Sequence, residues 1–191
     1  MQLREIDPEE HVPFIPPTFA QKIDESHPRV NCFKPAGHNF WWLEIGGEQD
    51  TIVDSDRIRD KLYAMAYGVW HFIKNHPDGR GSGWELEWIG AVPGKRENVR
   101  YVGDYTLTQH DIDGGGQDFP DTIAYGGWTM DDHPPGAFEY DGSPTEHHSA
   151  PSPYGIPYRI LCSENIVNLS FAGRNISATH MALSSTRVMG T

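Results

Sequence analysis

NLSFAGRNISATHMALSSTRVMGT, residues 168–191, is the stretch whose reading decides the fold. A short apolar run (Leu169, Phe171, Ala172) meets Gly173. A polar loop follows (Arg174, Asn175, Ser177, Thr179, His180), and then a Ser184-Ser185-Thr186-Arg187 cluster with the composition of a helix start. This order predicts a strand, a ligand-facing loop and a helix, the connection by which α/β proteins turn backbone toward a ligand. Gly173 would let backbone approach a ligand closely. The N–H groups of Ser185, Thr186 and Arg187 would stand at a helix N-terminus, favourable for negative charge. The sequence stops at Thr191, before the helix that this pattern predicts, and so reads as part of a larger machine. A packed connection with no ligand accounts for the same spacing equally well.

Working outward, Tyr154–Leu161 (YGIPYRIL) reads as extended chain, with Pro157 favouring a sheet edge. Residues 131–153, dense in Pro, His and Gly, read as irregular, and Ala124–Trp128 (AYGGW) as a short strand ending in glycines. Residues 113–121 (DGGGQDFPD) read as a flexible loop. Asn98–Thr108 is β-branched and aromatic and predicts a strand or strand pair, while Trp84–Val92 alternates and predicts a strand closed by Pro93-Gly94. The clearest helix covers Ser55–Asn75, where Ile58, Leu62, Met65, Val69, Phe72 and Ile73 recur at helical spacing. Asp54 or Ser55 can cap its start, Lys74 suits the dipole at its end and Pro77 prevents continuation, although Gly68 weakens its middle. Phe40–Ile52 begins like a strand and turns at Gly46-Gly47. Residues 1–36, rich in Pro and charge, read as an extended segment crossing another surface.

The length of 191 residues suffices for one domain with a core, and 20 Gly with 15 Pro imply short elements joined by many loops. A net charge of −12 argues against a phosphate-backbone binder, so no nucleic-acid partner is expected. No apolar run approaches the roughly 20 residues of a membrane span, so no membrane partner is expected. The N-terminus is acidic and Pro-interrupted, unlike a signal or transit peptide, which makes an intracellular protein the default expectation. Cys32 and Cys162 form no CxxC unit and read as buried free thiols; the histidines show no HExxH, and no metal site is expected.

Four places carry candidate chemistry. Pro93–Arg100 (PGKRENVR) clusters Lys95, Arg96 and Arg100 on a turn that can present Arg96 to an anion, or merely be solvated with Arg96 paired to Glu97 or Asp104. Ala124–Gly136 sets His133 beside Asp131 and Asp132, a pair suited to moving protons, or a turn whose carboxylates satisfy local backbone. His147 and His148, adjacent on extended chain, face opposite ways and read as an exposed loop, whereas Tyr158 and Arg159 are better placed to line a pocket. Trp41, Trp42, Trp84, Trp88 and Trp128 offer stacking surfaces, so a non-enzymatic carbohydrate- or ligand-binding domain is an alternative. A polysaccharide lyase using His133 and Tyr158 as base and acid is a third reading.

IGGEQDTI, IRDKLYAMAYGVWHFIKN, LEWIGAVPGKRENVRYVGDYTLTQHDI, AYGGWTMDDHPPG, YGIPYRIL and the 168–191 stretch occur in this order in one family. Over residues 37–191 the chain resembles the C-terminal half of bacterial FAD-dependent oxidoreductases of the glutathione-reductase-like flavoprotein group, some of which carry a xanthan lyase label. The resemblance implies an α+β fragment of an α/β flavoprotein, with an inserted substrate domain plus the last strand of a mostly parallel FAD-binding domain. The implied division is an extended segment over 1–36, a substrate-domain portion over 37–160, and a truncated C-terminal part of the FAD-binding domain over 161–191. The Gly-rich dinucleotide turn of that family has no counterpart here, since neither Gly114-Gly115-Gly116 nor residues 79–83 has the spacing or the preceding strand. The implied cofactor is FAD, and the implied partner is a small-molecule substrate, sugar-like or anionic. Gly173, Arg174, Asn175 and Ser177 would fall at the last FAD-contacting strand end, where relatives often carry an acidic residue in place of Arg174. Ser185, Thr186, Arg187, Val188 and Met189 would lie near the isoalloxazine. The resemblance brings Arg96 or Arg159 to the substrate as anchor, and His133 or Tyr158 as proton exchanger while hydride moves.

Overall fold

The computed structural model describes residues 1–35, 40–115 and 118–188. The chain divides into two compact units, one of Met1–Lys95 with Pro134–Pro144, the other of Arg96–His133 with Thr145–Thr191.

In the first unit, β1 (Gln2–Glu5) pairs antiparallel with β2 (Trp84–Trp88), and α1 spans Ser55–Lys74. The helix forms where its periodicity predicts. Ile58, Met65, Val69 and Ile73 are buried, and Leu62 and Phe72 pack at the margin of a core made with Phe33, Trp42, Trp70 and Phe138. The expected cap is different. Asp54 makes no capping hydrogen bond and pairs with Arg57 at 3.1 Å, while Asp50 accepts the Ile52 and Val53 N–H groups in the turn before the helix. Lys74 is buried and donates from Nζ to the Trp84 carbonyl at 2.6 Å, tying the helix end to β2.

The strand expected at the start of Phe40–Ile52 does not form. Trp42 turns into the core, stacking with Phe138 at 6.1 Å between centroids, and Gly47 abuts the Pro135 backbone, where a Cβ would come within 2.6 Å. These local contacts displace a ladder.

The second unit holds α2 (Gln109–Asp113), β3 (Thr122–Gly126), β4 (Met130–Asp132), β5 (Glu146–His148), β6 (Tyr154–Pro157) and α3 (His180–Thr186). β3 pairs with β6 and β4 with β5, both antiparallel. Among the described residues every strand pair is antiparallel. The core is Leu107, Ile112, Phe119, Met130, Tyr154, Ile160, Phe171, Ile176, Ala178, Ala182 and Leu183.

Four expectations are corrected here. Asn98–Thr108 forms no strand, because its backbone groups go to different segments: Tyr101 N–H to Asn175, Asp104 N–H to Cys162, and Leu107 N–H to Ser177. Residues 131–153 are not wholly irregular, since Asp131 and His147 stand opposite each other in the β4–β5 ladder. The extended run from Tyr154 ends at Pro157, and Tyr158–Leu161 is a 3-10 turn. In the terminal stretch, Leu169–Ala172 makes only an isolated bridge, between Ser170 and Cys162, and α3 begins at His180. The Ser184–Arg187 cluster is therefore the end of a helix and not its start. Ala182 and Leu183 are the apolar residues that seat this helix on the core, which pulls its beginning upstream. The Ser184 and Thr186 hydroxyls fold back onto the Met181 and Ala182 carbonyls at 2.6 and 3.2 Å.

Candidate functional site

Every residue singled out from the sequence for catalysis or cofactor binding falls in the second unit, and the structure gathers part of that set around Asp131. Asp131 sits in the middle of β4 with a quarter of its side chain exposed. Its Oδ2 lies 3.6 Å from His133 Nε2 and 3.4 Å from Arg187 Nη2, and its Oδ1 lies 3.7 Å from His147 Nδ1 and accepts the Thr145 hydroxyl. Arg187 Nη2 also donates to the Asp131 carbonyl at 2.7 Å. Burial alone would raise the Asp131 pKa, but the Thr145 hydroxyl and the neighbouring His133, Arg187 and His147 outweigh it and hold the carboxyl below its ordinary value. Next to it, Asp132 accepts from His180 Nε2 at 2.7 Å, and His180 Nδ1 lies 3.4 Å from Arg100 Nη2.

Arg187, at the C-terminal end of α3, is mostly buried, and its Nε has no hydrogen-bond partner among the described residues. Burial, and then repulsion from Arg96, push its pKa below the usual guanidinium value. Arg174 Nη1 lies 3.8 Å from Glu97 Oε2. Gly173 adopts φ +73° in the turn before it, with nothing within 4 Å of where a Cβ would stand. Asn175 closes this turn onto the 96–101 segment, donating from Nδ2 to the Val99 carbonyl at 2.5 Å.

The other two expected catalytic residues have different surroundings. Arg159 Nε donates to Asp121 Oδ2 at 3.0 Å, and its guanidinium lies 5.1 Å from the Tyr105 ring centroid. Tyr158, half-exposed, neighbours Cys162 and Ser170. None of these partners belongs to the Asp131 group. Of the five tryptophans read as stacking surfaces, Trp42 is buried and Trp84 packs at the first unit's core, which leaves Trp41, Trp88 and Trp128 as exposed faces.

The bonding of the expected cofactor residues tests whether FAD fits them. Ser177 is 1 % exposed and bonds Thr106 at 3.0 Å. Ser185 is wholly buried, donates to the Trp128 carbonyl at 2.6 Å and meets the Tyr154 hydroxyl at 2.6 Å. Thr186 is turned onto its own helix. Val188 is half-buried after α3, and Met189 lies outside the described residues. These hydroxyls are spent on the fold, and the described residues contain no strand–turn–helix cradle for a dinucleotide. The set therefore does not fit a whole FAD.

Two functional candidates were hard to see in the sequence. His147 reads as an exposed loop residue, and only the β4–β5 register sets it against Asp131. Glu97 reads as a surface partner for Arg96, yet its side chain is only 6 % exposed.

A family model described as FAD dependent oxidoreductase matches residues 5–191, and the chain belongs to that family. No curated protein and no solved structure matches it. The mixed α and β content is consistent with the family.

Proposed function

We propose that the chain is a portion of an FAD-dependent oxidoreductase that transfers hydride between a small polar organic substrate and flavin. In this reading it supplies an inserted substrate domain and one edge of the flavin site, and a dinucleotide-binding segment with its own Gly-rich turn completes the cofactor seat. Membership of the family across residues 5–191 carries the reading.

The Asp131 group supports a substrate-facing role. Hydride loss from a carbon bearing a hydroxyl requires that the hydroxyl proton be taken up, and an imidazole is the side chain suited to that transfer near neutral pH. His133 takes this role with Asp131 orienting it across 3.6 Å. Arg96, within electrostatic reach of Arg187, takes the anchoring role. Arg159 and Tyr158 are the weaker choices, because Asp121 engages the first and the second has its contacts with Cys162 and Ser170.

The test uses the natural gene product, purified whole. It is expected to carry flavin, seen by its visible absorbance, which one of a panel of small polar alcohols and hydroxy acids bleaches without oxygen. His133→Asn is expected to retain flavin and lose roughly 10²–10⁴-fold in kcat. A gene product without flavin, or an unchanged kcat in the variant, refutes the assignment.

A further inference from the structure

A cleft of about 460 Å³ opens in the first unit, a size suited to a small organic molecule. Its walls come from the turn at residues 45–49, from Lys61 of α1 and from residues 135–141. The last of these is held in shape from behind. Arg29, 3 % exposed, donates from Nη2 to the Ala137 carbonyl at 3.0 Å and from Nη1 to the Gly142 carbonyl at 2.6 Å. Ala137 stands at φ +49°, a conformation that residues with a side chain rarely adopt. Gly142 admits the Tyr140 ring, since a Cβ there would stand 2.5 Å from ring Cε1. The ring so placed remains 36 % exposed in the cleft wall.

Glu48, Glu139 and Asp141 bring three carboxylates to the cleft against the one ammonium of Lys61. Among the described residues, the side chains of Glu48, Asp141 and Lys61 make no hydrogen bond or ion pair. Glu139 is half committed. Its Oε1 accepts from Gln21 Nε2 at 2.8 Å, but its Oε2 stands 3.8 Å from His27 Nε2, beyond hydrogen-bond reach. The Arg29 N–H donates to His27 Nδ1 at 3.1 Å, which leaves the ring proton on Nε2. A nine-tenths-buried imidazole thus aims an unanswered N–H at a carboxylate of the cleft wall, and that carboxylate is not drawn back onto it. Each of the three carboxylates keeps an oxygen for something in the cleft.

The lining separates the ligand chemistries. The excess of carboxylates repels an anion. Among the described residues no three His, Cys, Asp or Glu side chains are grouped to hold a metal ion, so a point cation is not matched. A neutral polyol meets Tyr140, Gln49 and Lys61 but leaves the carboxylate charge unmatched. An ammonium on a hydroxylated carbon skeleton meets all of them: carboxylates take its N–H groups, the ring takes its carbon face, and Gln49 and Lys61 take its hydroxyls.

We propose that this cleft binds a small hydroxylated amine, the chemistry of an amino sugar, with its ammonium toward Glu48, Asp141 and Glu139 and its carbon face on Tyr140. The site lies in the unit that holds none of the residues assigned to catalysis or cofactor, and it does not rest on the redox reading.

Calorimetry on the purified chain in an amine-free buffer, at about pH 6 where such an amine is protonated, compares glucosamine, glucose and N-acetylglucosamine. One ring then carries an ammonium, a hydroxyl or a neutral amide at the same position. Glucosamine is expected to bind about tenfold more tightly than either neutral sugar, the factor a charge-assisted hydrogen bond supplies. Glu48→Gln combined with Asp141→Asn, both exposed and unbonded, should remove that preference and leave glucose unchanged. Tyr140→Ser should weaken all three sugars alike, by about fivefold. The His27 imidazole resonance should shift as glucosamine fills the cleft beside Glu139. Equal affinity for glucosamine and glucose, or no binding of either, overturns the proposal. So does a preference that survives the double variant, or an unmoved His27 resonance, since either places the amine elsewhere. Flavin in the natural gene product is read separately from its absorbance, so either idea can fail without the other.

Discussion

Ser185 separates a structural from a cofactor role in one substitution. Its Oγ donates to the Trp128 carbonyl at 2.6 Å and meets the Tyr154 hydroxyl at 2.6 Å, with Ser185 wholly buried and Tyr154 1 % exposed. Burial raises the Tyr154 pKa while the Ser185 hydrogen bond opposes it, as expected for a phenol that reaches little water. Ser185→Ala strands both the phenol and the carbonyl, and a buried polar group left unpaired costs about 1–3 kcal/mol. The expected loss is about 2 kcal/mol, equivalent to roughly 4–8 °C in melting temperature for a chain of this size. Tyr154→Phe removes the phenol and leaves the Trp128 bond intact, so it should cost about 1 kcal/mol, with a coupling of similar size in the double variant. The assay must report the second unit alone, because two units need not unfold in one step. Trp128 is the tryptophan of that unit, and the fluorine resonance of 5-fluorotryptophan at that position, followed through a urea titration, gives its stability. A loss below about 0.5 kcal/mol, the usual size for an unremarkable surface change, would refute the buried network. If Ser185 instead served flavin, the flavin-free protein would keep its stability.

Three further outcomes are expected. Gly68→Ala should destabilise the first unit by about 1–2 kcal/mol despite the better helix propensity, because its Cβ would stand 2.2 Å from the Gln21 carbonyl oxygen; a raised melting temperature would contradict this. The Tyr105 hydroxyl, pushed up to about 12 by burial and by its hydrogen bond to Asp111, is protonated in the fold to higher pH than in the unfolded chain, so its contribution is intact below pH 10 and lost between 10 and about 12. The urea midpoint should fall from pH 9 to pH 11, and Tyr105→Phe should flatten that fall. The 191-residue chain by itself should retain well under one flavin per molecule, and a stoichiometric visible flavin band after purification would contradict the proposal that it supplies only one edge of the flavin site.

The sequence was most legible where one local signal governs. The 3.6-residue spacing from Ile58 to Ile73 marks α1 because burial of one helical face needs nothing beyond that spacing. Trp84–Trp88 and Thr122–Gly126 likewise form strands close to where composition places them. The His133–Asp131 pair was visible because the residues are two apart. Helix ends were not legible in the same way. Ser184–Arg187 has the residues of a helix start and stands at a helix end, since seating Ala182 and Leu183 outweighs the capping preference of serine.

What the sequence by itself determined is therefore the long helix, the approximate strands, the acidic balance and the family to which the chain belongs. Tertiary structure alone decided which polar residues are free to act. Ser177, Ser185 and Thr186 are polar in the sequence and consumed in the fold, whereas Glu97 looks exposed and is buried. His147 meets Asp131 only through the pairing of two short strands, and Arg187 meets it only through the docking of α3 against β4. The reason is physical. Periodicity reports burial of apolar surface within one element, but a hydrogen bond or ion pair depends on where distant elements bring particular atoms to within a few ångströms.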